Sequence, residues 1–521
     1  MNVENATTEL VVSNNQNSIQ WCLLSHTNIG KTTLTRTLIN DDVGQIEDAA
    51  HVTTQSQRYL LQRTVQGDEL WLWDTPGFGD SVRLYERLKQ QGNPLGWFLS
   101  NVWDRWRDKA FYLSQRALLA ARDHSDVMLY LVNAGEDPAD AGYWSAEMGI
   151  LAWMNKPVII LLNQVGSDTT AAQTAADLQR WRDATAGFAG TVKEVLVLDA
   201  FTHSWWHERK MMQSIAPLLP QEKQPAYARL LQQREALQQQ REQQSLQVMA
   251  QQLQISAQLH EAAQPHDGKA LTRAWQTLTQ KISSTFAKSQ SGDGQDDAQA
   301  KAAMQRLLQG LQQADVRATQ QLLELHNLDG LAATQIQEQL RSQLKVSTPL
   351  DPQVASLWGA LTAGAATGLG ADMMTGGMTL GAGALVGALV GALGFAGAAW
   401  GANKMFNQEQ QRFQLSPEYL NELTGQVLLK YLVISHFGRG RGRYSSPSAP
   451  EQWTGAVQAA LAQDKELWDG LWKELQTQTV AAQATPSEAQ NSSPGVDLQH
   501  QLSTLLEQSL HRVLSQLYPG L

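Results

Sequence analysis

The stretch Leu24-Ser25-His26-Thr27-Asn28-Ile29-Gly30-Lys31-Thr32-Thr33 constrains this chain more than any other. An apolar run, Ile19 to Leu24, precedes it and reads as a buried strand, and a helix-compatible run, Thr32 to Ile39, follows. The loop between them nearly fits G-x-x-x-x-G-K-[ST], with Ser25 in place of the first glycine. A strand-to-helix loop of small residues lets successive backbone N–H groups curl around phosphate oxygens. In such a loop Lys31 reaches the β- and γ-phosphates of a nucleotide, and Thr32 turns its hydroxyl to Mg²⁺. Residues Ser25 to Thr33 are therefore the expected phosphate-binding loop. Ser25 is small enough to close it, with backbone strain as the expected cost.

The next segments fit the same chemistry. Asp41 to Gln57 is polar and has neither helical nor strand period, as suits a segment that closes over a γ-phosphate. It carries Thr53 and Thr54. Either suits a second Mg²⁺ ligand; Thr53 is the choice here, and an ordinary surface loop is the alternative. Arg58 to Arg63 and Glu69 to Trp73 read as two strands joined at Gln66-Gly67-Asp68. The second runs into Asp74-Thr75-Pro76-Gly77, an acid at a strand end followed by x-x-Gly. There Asp74 holds Mg²⁺ through water and the Gly77 N–H senses the γ-phosphate. Phe78 follows, at the position where Ras-like enzymes carry the glutamine that orients water. Hydrolysis without that glutamine should be slow or use another group.

Three more strands complete the pattern: 126–132, 157–162 and 194–198. Their continuous apolar character suits a parallel sheet covered on both faces, and alternation with helices predicts a doubly wound, mostly parallel α/β domain over residues 17–215. The fourth strand-end loop reads Asn163-Gln164-Val165-Gly166, where a guanine-binding loop has Asn-Lys-x-Asp. The asparagine is kept, but the base-reading acid is Gly166, so selection of GTP over ATP is left open. Asp199-Ala200-Phe201 occupies the place of a Ser-Ala-Lys base loop and keeps only Ala200. Residues 80–125 exceed what a minimal domain of this kind needs. Their tryptophans, among them Trp97, Trp103 and Trp106, suggest an inserted helical segment.

These motifs resemble the Era/TrmE-like branch of bacterial GTPases. His26-Thr27-Asn28-Ile29-Gly30-Lys31-Thr32-Thr33-Leu34 and Asp74-Thr75-Pro76-Gly77 carry the resemblance. The whole chain looks like a proteobacterial GTPase family with a C-terminal helical domain of unknown function, marked by Gly376 to Gly381 and Tyr431 to Gly440. The resemblance implies nucleotide binding and GTP hydrolysis with Mg²⁺. It also gives Asn28 a meaning: several bacterial GTPases with asparagine here bind K⁺, which substitutes for an arginine finger. The alternative for Asn28 is a loop cap. The implied catalytic set is Lys31, Asn28 and Thr53. The nucleotide set adds Asp74, Gly77, Asn163, Gln164 and Ala200 to the loop.

Beyond residue 220 the composition changes. Residues 220–345 read as helical, with Leu230, Leu237, Leu246, Met249, Leu253 and Leu259 at near-heptad gaps that suggest a coiled coil. Residues 350–403 are rich in Gly and Ala, and within them Asp372 separates two uncharged runs, 352–371 and 373–403. They read as a helical hairpin, its alternatives being insertion in a membrane, burial in a soluble helical domain, or a switch between the two. Residues 404–475 read as helical, 476–496 as a linker after one helix from Trp453 to Leu475, and 497–521 as a terminal helix. Residues 1–16 are polar, read as a disordered lead, and lack the basic and apolar regions of a secretion signal. A lone cysteine, Cys22, suits a small core residue in a reducing, cytoplasmic setting. The 350–403 hairpin, with Lys404, Arg412, Arg439, Arg441 and Arg443 after it, gives the inner-membrane surface or a membrane protein as the expected partner. A homo-oligomer is left open. The net charge of −10 does not favour nucleic acid. A GTPase switch or mechanochemical protein leads the readings; a binding scaffold without turnover and a membrane-remodelling or pore-forming effector are the alternatives.

Overall fold

The computed structural model describes residues 16–40, 57–75, 77–90, 118–119, 121–166, 169–200, 202–262, 295–328, 406–409, 412–438, 451–484 and 494–518. Thr53 and Thr54, the tryptophans at 97, 103 and 106, the hairpin of 350–403 and the basic run from Arg439 lie outside them. The chain divides into two units, one of residues 1–239 with 436–444 and Leu521, the other of 240–435 with 445–520.

The first unit is built on six strands: β1 (Ser18–Ser25), β2 (Gln57–Arg63), β3 (Glu69–Asp74), β4 (Val127–Asn133), β5 (Val158–Asn163) and β6 (Val192–Val197). Their order is β2-β3-β1-β4-β5-β6, parallel except for β2, which pairs antiparallel with β3. The antiparallel pair is the hairpin predicted at Gln66 to Asp68, with Gly67 in the left-handed region at φ 86°.

Strand side chains alternate between two cores, which is why the central strands are apolar throughout. On one face Trp21, Leu23, Leu129, Leu131, Ile159 and Leu161 pack with α1 (Lys31–Ile39), α5 (Trp205–Ile215) and the start of α6 (Gln224–Gln258) through Leu34, Met211 and Tyr227. On the other, Cys22, Leu24, Met128, Tyr130, Val132, Ile160 and Leu162 meet α2 (Ser81–Gln90), α3 (Trp144–Met154) and α4 (Ala171–Thr185) through Leu84, Met148, Leu151 and Trp181. Cys22 is fully buried in this second core, where burial pushes its thiol up, as an inert core residue requires. Four ion pairs or hydrogen bonds fix α6 to the domain. Lys223, just before it, reaches Asp126; Arg229 forks onto buried Asp68; Gln62 donates to the Leu230 carbonyl; and Arg234 reaches Glu208.

The second unit is mainly helical: the end of α6, then α7 (Gln295–Leu325), α8 (Pro417–Ser435), α9 (Glu451–Gln463), α10 (Lys465–Ala484) and α11 (Pro494–Leu517). It also holds a small sheet of β7 (His260–Ala262), β9 (Arg412–Leu415) and β8 (Phe406–Glu409), in that order and antiparallel. Strands of three and four residues are too short to leave a period in the sequence. The expected helix from Trp453 to Leu475 is two helices. Asp464 ends the first by donating its N–H to the Leu461 carbonyl and starts the second by accepting from the Trp468 N–H. The expected linker of 476–496 is partly helix, since α10 continues to Ala484 and buried Gln476 donates to the Leu415 carbonyl. The heptad reading of α6 fails at Leu237, which is 51% exposed, while Leu246, Met249 and Leu253 are buried.

At the centre of this unit Lys430, on α8, is 2% exposed and donates to Asp315 at 2.6 Å, Thr319 at 3.0 Å and Gln252 at 3.1 Å. Among the described residues no helix is long and apolar enough to cross a membrane.

Candidate nucleotide-binding site

The site lies at the C-terminal ends of β1, β3, β5 and β6, where the loops of a parallel sheet converge. β1 ends at Ser25, and α1 starts at Lys31 behind Gly30, which stands at φ 92°. Ser25 is buried, and its backbone is not in the left-handed region. Its hydroxyl donates to the His26 carbonyl and accepts from Lys31 Nζ at 2.9 Å. Strain falls instead on Asn28, at φ 63° and exposed, a conformation asparagine tolerates better than most residues.

Lys31 is 8% exposed, and among the described residues its hydrogen-bond partner is the neutral Ser25 hydroxyl. Burial lowers the pKa of its ammonium, opposed by the nearby charges of Asp74 and Glu147. Asp74, at the end of β3, is 1% exposed. Burial pushes its carboxyl up to about 6 against the pull of Lys31 and of Thr32, whose hydroxyl donates to Asp74 Oδ2 at 3.1 Å. Asp74 Oδ1 is buried without a hydrogen-bond partner. A hydroxyl and an orphaned carboxylate oxygen side by side form an oxygen donor set that fits Mg²⁺.

Gly77 closes this end. A Cβ there would stand 3.1 Å from Thr27 Cα, 3.1 Å from its Cγ2 and 3.3 Å from Lys31 Nζ, so the loop after β3 touches the phosphate loop through bare backbone. Phe78 turns away. Its N–H donates to the Ser25 carbonyl at 3.2 Å, and its buried ring faces Tyr130 in the core.

Asn163 joins the two ends of the site. Fully buried, it donates from Nδ2 to the Ile29 carbonyl at 2.7 Å and accepts at Oδ1 from the Ala200 N–H at 2.8 Å. Thr33 is buried on the first turn of α1, and its carbonyl and that of Ala200 each accept from the Thr37 hydroxyl at 3.1 Å. Gln164, at φ 57°, holds its amide 3.9 Å from where a Cβ on Gly30 would sit. The structure thus brings together Ser25, Thr27, Lys31, Thr32, Asp74 and Gly77 at one end, and Ile29, Gly30, Asn163, Gln164 and Ala200 at the other.

Glu147 escapes the sequence reading, and Asp199 is read there only as a departure from the base-loop pattern. His26 Nδ1 lies 2.7 Å from Oε1 of Glu147, its ring stacks on Tyr143 at 4.0 Å, and the Tyr143 hydroxyl donates to Glu136 at 2.5 Å. Glu147 is fully buried and also accepts from the Tyr130 hydroxyl. The signal was a single charge in the apolar helix WSAEMGILAWM. Asp199 Oδ2 accepts the Val165 N–H at 2.8 Å.

Residues 21–164 match the family model described as 50S ribosome-binding GTPase. Residues 189–503, more than half of the chain, match the model described as a domain of unknown function, DUF3482. The chain is a DUF3482-family protein. Its first unit is an α/β P-loop GTPase domain, and the DUF3482 match begins at its last strand and runs through the helical region. No curated protein matches it. Among solved structures, Era of Aquifex aeolicus bound to GDP and AlF₄⁻ is 16% identical; the match covers 39% of this chain and 57% of the Era chain, with a TM-score of 0.29. Era in complex with MgGDPNP and nucleotides 1506–1542 of 16S ribosomal RNA is 17% identical over 39% of this chain and 57% of that one, TM-score 0.28. A bacterial dynamin pair, described as oligomerised and as sensing and tethering membranes, is 8% identical over 97% of this chain and 77% of its own, TM-score 0.26. The DUF3482 chain thus spans under two thirds of the Era chains it matches. Likenesses this distant carry no functional argument.

Proposed function

We propose that this DUF3482 protein binds GTP with Mg²⁺ in its first unit, hydrolyses it, and acts as a switch or mechanochemical protein of the Era/TrmE-like branch, read out by its helical region. One observation carries the reading: a buried Lys31 ammonium whose hydrogen-bond partner is a neutral hydroxyl, beside the Thr32–Asp74 pair with an orphaned carboxylate oxygen. Burial outweighs the nearby charges of Asp74 and Glu147 in lowering the pKa of that ammonium, and a triphosphate supplies further negative charge.

In this reading the N–H groups of the loop from His26 to Thr33 hold phosphate oxygens, and Lys31 donates to the β- and γ-phosphates. Thr32 and Asp74, with Thr53 from the segment before β2, would hold Mg²⁺, which neutralises phosphate charge when bound. The Gly77 N–H contacts the γ-phosphate, so the loop from Asp74 to α2 responds to its loss. Exposed Asn28 is the ligand for K⁺, which takes the part of an arginine finger. ATP is the competing nucleotide, because Gly166 supplies no base-reading acid. The helical region, with residues 350–403, is the proposed link to the cytoplasmic face of the inner membrane, to a membrane protein or to further copies of the chain. Nucleic acid is not proposed, on the net charge of −10.

The test is phosphate release from GTP and ATP, in sodium and in potassium, by the full chain and by Lys31→Ala. Turnover of GTP abolished by the substitution is the expected result; no turnover in any condition would remove hydrolysis from the reading. A second reading, binding without turnover, is favoured by Phe78, whose ring is committed to the core and leaves no side chain there to orient water. Tight binding of a non-hydrolysable GTP analogue together with absent phosphate release would select it.

A further inference from the structure

Beside the phosphate loop stands a buried acid that takes no part in the phosphate and Mg²⁺ contacts above. We propose that His26 and Glu147 form a positioning pair for the nucleotide: the His26 ring ties the phosphate loop to α3 and offsets the Glu147 charge that would otherwise repel the bound phosphates. The inference rests on the nucleotide-binding reading above.

Glu147 is the one charge in the helix WSAEMGILAWM and is fully buried. Burying an acid in such a setting is costly unless donors meet it. Two do. The Tyr130 hydroxyl of β4 donates to Oε2, and His26 Nδ1 lies 2.7 Å from Oε1. A carboxylate only accepts, so Nδ1 carries the hydrogen of that bond. Of the two donors, only His26 belongs to the phosphate loop. Its ring is held from a second side, since Tyr143 stacks on it at 4.0 Å and 8° from parallel, and the Tyr143 hydroxyl is itself fastened to Glu136 at 2.5 Å.

The neighbours of His26 show what this anchor holds. On one side, the Ser25 hydroxyl donates to the His26 carbonyl and accepts from Lys31 Nζ at 2.9 Å. On the other, Thr27 packs against Gly77, where a Cβ would come within 3.1 Å of Thr27 Cα. A residue fastened to α3 between these two fixes both the partner of Lys31 and the approach of the loop after β3.

The charge of Glu147 also reaches the site. With Asp74 it acts on the buried Lys31 ammonium, opposing the effect of burial. A carboxylate that attracts Lys31 repels the triphosphate that Lys31 contacts. Asp74 meets Mg²⁺ in the reading above. Glu147 meets an imidazole N–H, which offsets its charge where the loop adjoins it.

The experiment is calorimetry on the full chain with Mg²⁺ and either a non-hydrolysable GTP analogue or GDP, using wild type, His26→Ala, Glu147→Gln and the double variant, each checked by circular dichroism. His26→Ala strips the carboxylate of its loop donor. It should weaken the GTP analogue by about tenfold but GDP by about threefold or less, because the triphosphate carries more charge. Glutamine keeps the size of Glu147 and an acceptor for His26 while removing the charge. Glu147→Gln should therefore raise affinity for the GTP analogue by about tenfold in the His26→Ala background and by about threefold or less with His26 present. If His26→Ala fails to fold, His26→Asn takes its place and the same rescue is read on it. A residue that merely braces the loop would weaken both nucleotides alike and would not be rescued. Wild-type affinity in the His26 variant, equal losses for GTP analogue and GDP, or an equal effect of Glu147→Gln in both backgrounds each overturns the proposal while leaving nucleotide binding intact. A wild type that binds no nucleotide defeats the nucleotide-binding reading, and the inference falls with it.

Discussion

Replacing Asn163 by alanine should damage both stability and nucleotide affinity, because one side chain satisfies two buried backbone groups in different loops. Asn163 is fully buried, with its Nδ2 on the Ile29 carbonyl at 2.7 Å and its Oδ1 on the Ala200 N–H at 2.8 Å. Alanine leaves both unpaired at sites where Ile29 is 8% and Ala200 0% exposed. A buried orphan costs about 1–3 kcal/mol, so the pair amounts to roughly 2–6 kcal/mol, toward the lower end if water fills the space of the lost amide. The assay is equilibrium urea unfolding of the full chain by tryptophan fluorescence, with hydrogen exchange in β5 as the local readout. A second variant sharpens it. Asn163→Asp keeps the acceptor for Ala200 but sets a carboxylate oxygen against the Ile29 carbonyl; its deficit should shrink as the pH falls and the acid gains a proton to donate. The nucleotide affinity of Asn163→Ala should fall by about tenfold or more, since its loss releases the phosphate loop from the base loop. A stability change under about 0.5 kcal/mol together with unaltered affinity would refute the reasoning.

Gly77→Ala should leave the fold intact yet weaken nucleotide binding by about tenfold or more, because its Cβ meets Thr27 and Lys31 at 3.1–3.3 Å; calorimetry and circular dichroism together check this. Glu208 gives a pH prediction. Burial raises its pKa, but Arg234 and His203 outweigh burial and hold it at about 2, below the ordinary 4.5. A depressed carboxyl stabilises the fold above its unfolded pKa and loses that contribution as pH falls from about 4.5 to about 2. The stability lost over that window should be about 3 kcal/mol, and the corresponding part of the pH dependence should vanish in Glu208→Gln. In the second unit, Lys430→Met should cost about 3–5 kcal/mol by leaving Asp315 buried and unpaired, and Asp315→Leu in the same chain should recover most of it; a double variant no better than the single refutes the pairing.

How far the sequence discloses this molecule follows from the length scale of each signal. β1, β4 and β5 are mostly apolar because both faces of the sheet are covered, and they stand out without any structure. The phosphate loop and Asp74 are legible for a related reason, since their chemistry fixes residue type at close spacing. Pairings between distant positions are not legible. Glu147 appears only as the one charge in an apolar helix and Lys430 as the one cation in another, and nothing local names His26 or Asp315 as the partner. Ser25 is read as a small filler, yet its hydroxyl is the partner of Lys31, a role visible only once the loop is closed. β7, β8 and β9 are too short for a period, and the break at Asp464 lacks the glycine or proline that marks a helix end.

The central claim is that the buried Lys31, Thr32 and Asp74 form a nucleotide site, and its most direct test is calorimetric titration of the full chain with a non-hydrolysable GTP analogue and Mg²⁺. Wild type should give one site per chain, and Lys31→Ala should weaken it by about a hundredfold or more while its circular dichroism stays that of wild type. Absence of a binding signal in folded wild type, or equal affinity in Lys31→Ala, would contradict the account.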